Sequence, residues 1–175
     1  MPLVHGLAVL FPYFKYKSRV DPLALVASAT IVDLEPLYYI LIGQEWDHRM
    51  WHGYALTLTV YAVLVGLAVY LAERFLERRL WSTYTVLGFK PTRVRYSPLT
   101  IYLCCLAGGF SHIFFDMFTH RFMPYVVYPL TYGNPFYLGG ARGIVEVAAV
   151  ALAFYSLFCW WKSWKQSRNT GGRVA

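Results

Sequence analysis

Five histidines and a handful of carboxylates stand inside or beside apolar stretches of this chain, and their spacing suits metal chemistry. His112, Asp116 and His120 recur every four residues, which sets successive side chains one turn apart on one face of a helix. His48 and His52 repeat that spacing. Neutral imidazole and carboxylate donors arranged in this way are suited to share a divalent cation. Asp33 lies in the middle of an apolar stretch, with Glu35 and Pro36 just after it. An ionisable group in lipid costs on the order of 3 kcal/mol by insertion scales and usually marks function. The bland readings are interfacial solvation for His48 and His120, an interhelical hydrogen bond for His112 with Asp116, and a local bond at the Pro36 kink for Glu35. Glu146 can simply pair with Arg142 one turn before it.

The elements that must position these residues are membrane helices. The chain is 58% hydrophobic and only 14% charged, against roughly 25% charged residues in soluble domains. Its mean hydropathy is positive. Apolar stretches cover residues 3–14, 23–42, 54–71, 99–118 and 144–161. The first is too short to cross a bilayer core, which takes about 20 residues, and it can be tilted, re-entrant or interfacial. The expected fold is therefore an all-α, polytopic membrane helix bundle of about four spans plus a short N-terminal helix. Residues 1–161 form the bundle and residues 162–175 a polar cytoplasmic tail. No cleavable signal peptide is evident, because no positive start precedes the first apolar run.

Charge placement sets the expected orientation. Thirteen of the sixteen Lys and Arg residues fall in residues 15–19, 74–95 and 162–175. The positive-inside rule puts those segments and the C-terminus in the cytoplasm, in a multi-pass protein of the cell membrane. Loops 43–53 and 119–143 then face outward, and all five histidines gather in the outer half. The net charge of +7 is spread over span flanks, which argues against a nucleic-acid partner. The expected partners are the lipid bilayer and a lipid-like substrate; the oligomeric state is not legible. Glu73 and Glu77 interleave with Arg74, Arg78 and Arg79, which reads as a solvated helix face. Gly108-Gly109 reads as a point of close helix packing. Cys104, Cys105 and Cys159 have no zinc-ligand spacing and read as small buried residues.

Taken in order, His5, Val32-Asp33-Leu34-Glu35-Pro36, His48-Arg49-Met50-Trp51-His52 and Ser111-His112-Ile113-Phe114-Phe115-Asp116 resemble the motifs of the membrane-bound metal-dependent hydrolases, the YdjM-like inner-membrane proteins. The resemblance runs to about residue 146. The His-Arg motif is one residue shorter than the family's and lacks its Thr, and Glu35 stands where an Asp is usual. The resemblance implies metal binding at His5, Asp33, His52, His112 and Asp116. Glu35, His48 and His120 are then further ligands or general acid–base groups.

The reaction expected is metal-dependent hydrolysis in the outer half of the bilayer, of a lipid or lipid-linked ester or phosphoester. The ion is zinc first, with manganese or iron next. Two other classes fit the same residues: a metal-ion or proton transporter, and a non-enzymatic scaffold whose polar cluster fixes packing. A transporter needs ionisable residues at both faces, and the cytoplasmic halves of the spans offer almost none.

Overall fold

The computed structural model describes residues 2–44, 49–89 and 93–171. Every regular element among the described residues is helical. The elements are α1 (Pro2–Ala8), α2 (Phe11–Lys15), α3 (Pro22–Ile31), α4 (Leu34–Leu41), a 3-10 turn (Met50–His52), α5 (Tyr54–Leu56), a π turn (Thr57–Tyr61), α6 (Ala62–Phe75), α7 (Glu77–Val86), α8 (Pro98–Thr119) and α9 (Arg142–Gly171). Four stretches are long and apolar enough to cross a membrane: Pro22–Leu41, Tyr54–Phe75, Pro98–Thr119 and Arg142–Gln166. Leu58, Val63, Leu64 and Leu67 on one of them, and Ile144, Val147 and Phe154 on another, are exposed. Outward apolar faces of this extent suit lipid rather than water. The chain is a membrane protein.

The helix starts follow from their first residues. Asp21 caps α3 by accepting hydrogen bonds from the backbone N–H of Leu23 (2.9 Å) and Ala24 (3.2 Å), with Pro22 at the first helical position. Ser97 caps α8 in the same way through the N–H of Thr100, again with Pro next. The second apolar stretch breaks at Val32–Asp33, a few residues before the proline. Pro36 has no N–H for the carbonyl of Val32 and clashes with it. The N–H of Glu35 takes that carbonyl instead, three residues back (3.2 Å). Pro36 thus falls in the first turn of α4, where proline is tolerated.

The first apolar stretch forms α1 and α2, of seven and five residues, and neither can cross a bilayer alone. Both pack on α9, and α1 also packs on α3. The closest partners in the bundle are α3 and α8. A Cβ on Gly108 would collide with the backbone carbonyl of Leu25, and one on Gly109 would come within 2.9 Å of Thr57 Cγ2. Gly108 lets the backbones of α3 and α8 meet, and Gly109 makes room for the side chains of Thr57 and Ser28, as expected of small residues at membrane helix contacts. Ala24, Ala29, Val32, Ala62, Ile101 and Cys105 fill the seam.

Glu73 corrects the sequence reading. It is 1% exposed, not on a solvated face. Its Oε2 accepts the N–H of Tyr96 at 2.8 Å, and its carboxyl group meets that of Asp21, which is 0% exposed. Glu77 keeps the expected place: it is half exposed and paired with Arg95. α9 continues past residue 161 as one helix to Gly171.

Candidate metal centre

The break at Val32–Asp33, the turn Met50–His52 and the last turns of α8 bring four of the predicted residues together. One donor atom each from Asp33, His52, His112 and Asp116 lies within 4.8 Å of all the others. His52 Nε2 is 3.6 Å from Asp116 Oδ2. His112 Nε2 is 2.9 Å from the same oxygen and 3.5 Å from Asp33 Oδ1. His52 and His112 are fully buried, and Asp116 nearly so.

What orients the imidazoles decides what they can do. His112 Nδ1 lies 2.6 Å from the carbonyl oxygen of Ala29. A carbonyl only accepts, so Nδ1 carries the proton and Nε2 of the neutral ring presents a lone pair. His52 Nδ1 lies 2.9 Å from Glu35 Oε2 and is fixed in the same sense. Both lone pairs are then aimed at carboxylate oxygens. These buried nitrogens and oxygens meet chiefly one another, an arrangement that a cation among them, a metal ion or a proton on Nε2, would stabilise. Donors held ~2.0–2.2 Å from one ion lie about 3–4 Å from each other, and three of the separations here are 2.9, 3.5 and 3.6 Å. Two imidazoles and two carboxylates suit zinc, manganese or iron(II). Asp33, His52, His112 and Asp116 can therefore hold a metal ion.

Glu35 is placed behind the donors. Its oxygens accept from the N–H of Arg49 (3.0 Å) and of Trp51 (3.1 and 3.2 Å) as well as from His52. It folds the turn that carries His52 and holds that ring by its far nitrogen, the usual carboxylate–histidine support of a metal ligand. His5 comes from α1 and touches the far side of His112, Nδ1 to Nδ1 at 3.0 Å. It stands outside the four-residue set, and burial with His112 beside it pulls its imidazole down to about 4. His120 Nε2 lies 3.9 Å from Asp116 Oδ1 at the end of α8. Burial holds its imidazole below the ordinary value. His48 lies outside the described residues.

A cavity of about 150 Å³ opens beside the donors, lined by His5, Asp33, Asp116 and His120 and, from α9, Arg142 and Glu146. Arg142 and Glu146 pair at 2.9 Å, as their spacing suggested. Two supporting groups escaped the sequence reading. One is the carbonyl of Ala29, which no side chain announces. The other is Asn134, whose amide donates to the carbonyls of Met117 (2.7 Å) and His120 (2.8 Å) and ties off the end of α8. An Asn beside Gly133 in a loop just past a helix was the available signal. The π turn at Thr57–Tyr61 sits next to the site, with Thr57 donating to the carbonyl of Trp51.

The fold and this cluster define an all-helical membrane protein with a buried His and Asp centre. The chain belongs to the family described as a domain of unknown function, DUF4184, whose family model matches residues 1–130. All the candidate donors fall in that stretch, and α9 lies beyond it. No curated protein and no solved structure matches the chain.

Proposed function

We propose that the protein is a metal-dependent hydrolase acting at the membrane on a lipid or lipid-linked ester or phosphoester. The observation that carries this reading is the pair of imidazoles locked by their Nδ1 protons so that both Nε2 lone pairs meet two carboxylates beside an open cavity. The resemblance to the YdjM-like hydrolases points the same way. A divalent ion held there would polarise a substrate oxygen and acidify a water. Asp33, His52, His112 and Asp116 serve as the ligands. Glu35 keeps His52 in its tautomer. His120, at the cavity wall, is placed to exchange a proton with a bound substrate or water. On the charge-based orientation the centre faces outward and the C-terminus is cytoplasmic.

The test is turnover by the zinc- or manganese-loaded protein in mild detergent, on a panel of lipid phosphate and carboxylate esters. Wild type should exceed a His112→Ala control on at least one class. Equal rates across the whole panel would sink the reading.

One observation favours a second reading, a metal or proton carrier. Asp21 and Glu73 put buried carboxyl groups at the opposite end of the spans, where the sequence offered almost none. Between the two clusters Ala24, Leu25, Ala29 and Cys105 are buried and apolar, and the hydroxyls of Ser28 and Tyr61 there donate to the backbone carbonyls of Cys105 and Ser28, so hydrolysis remains the first choice. Divalent-cation uptake by proteoliposomes that responds to Glu73→Gln would reverse that order.

A further inference from the structure

An apolar groove of about 500 Å³ adjoins the polar cavity, and Phe115 lines both. That volume is in the range of about 300–1,000 Å³ usual for small-molecule sites. Ala8, Val9 and Leu25 form part of its wall, with Phe110 and Phe114 from α8 and Leu152 from α9. Along α8 the groove runs from Phe115 back to Ala107, two helical turns and roughly 12 Å. Ala107 is near the middle of the span Pro98–Thr119. The groove thus starts at the candidate metal centre and descends toward the centre of the bilayer, the course an alkyl chain takes when its head group is at the surface. Arg142 adds a cation at the other side of the cavity. Its Nε is held by Glu146, and its terminal nitrogens bring a planar fork suited to phosphate or carboxylate.

We propose that the site takes an anionic, single-chain amphiphile, with the phosphate or carboxylate head between Arg142 and the donor cluster and the alkyl chain in the groove. The substrate class rests on the hydrolase reading above, whereas the binding site rests on the cavity, the groove and Arg142; Asp33, Asp116 and Glu146 also line the cavity, and a cation held by the donors offsets them. Phe115 lines both spaces, which sets a head group in one beside an alkyl chain in the other.

The test is binding rather than turnover. Native mass spectrometry on the full chain in mild detergent would compare hexadecyl phosphate, butyl phosphate and hexadecyltrimethylammonium. Metal content would be counted on the same samples. Wild type should retain one hexadecyl phosphate, about tenfold more tightly than either other probe. Ala107→Trp, which fills the groove, and Arg142→Gln should each weaken it by about tenfold with metal content unchanged. Leu152→Trp fills the groove from a different helix and serves if Ala107→Trp does not fold. Equal retention of the cationic amphiphile, or retention unaffected by the groove-filling changes, would mean that ordinary bilayer lipid covers the groove, and would overturn the proposal. If the anionic probe binds as described but wild type carries no metal, the hydrolase reading fails and the binding site stands.

Discussion

The bundle buries carboxyl groups at both ends, and the two sets are built differently. At the α8 N-terminal end, Asp21 and Glu73 meet backbone N–H groups: Leu23 and Ala24 for one, Tyr96 for the other. The two carboxyls also meet each other, and burial pushes Asp21 above its ordinary range. Asp21 caps α3, and Glu73 ties the segment before α8 to α6. At the α8 C-terminal end, Asp33 and Asp116 face imidazole nitrogens whose protons point away from them. A buried carboxylate turned onto peptide N–H groups is explained by the fold. One turned onto an imidazole nitrogen is stabilised by a cation between them, a metal ion or a shared proton.

Breaking the second set should have the larger effect on metal and the first the larger effect on folding alone. Asp116→Ala removes the carboxylate that both imidazoles approach, and metal retention through gel filtration should fall to background. Glu35→Gln leaves every ligand in place but loosens the ring of His52. Its metal affinity should drop by about 10–100-fold, in line with the loss of other supporting carboxylates, as read by chelator competition. Asp21→Ala deletes a helix cap and should cost ~0.5–2 kcal/mol of stability with metal content unchanged, seen as a lower thermal midpoint at full metal loading. Glu77→Gln, at a half-exposed ion pair, should shift stability by only about 0–1 kcal/mol in the same assay.

Much of this was legible in the sequence. The apolar stretches gave the four spans. The four-residue spacing of His112 and Asp116 and the mid-span position of Asp33 marked the donors that the structure groups with His52. The break in the second span was expected at Pro36 and falls at Val32–Asp33, because the hydrogen bond that proline deletes belongs to the carbonyl four residues back. Glu73 was misread from its basic neighbours. The better signal was periodicity: Ala62, Val65, Gly66 and Val69 form a buried stripe on α6, and Glu73 continues it one turn on. The role of Glu35 toward Arg49 and Trp51 depends on a loop closing over α4, which no local pattern encodes. The carbonyl of Ala29 carries no residue-type signal at all.

The most direct test is metal content. Wild type, His112→Ala/Asp116→Ala and Asp21→Ala would be purified in mild detergent without chelator and their metal counted by mass spectrometry. The account predicts one bound zinc, manganese or iron per chain in wild type and in Asp21→Ala, and none in the double variant. Equal metal in all three, or none in wild type after reconstitution with added ions, would contradict it and leave the His and Asp cluster as a packing device.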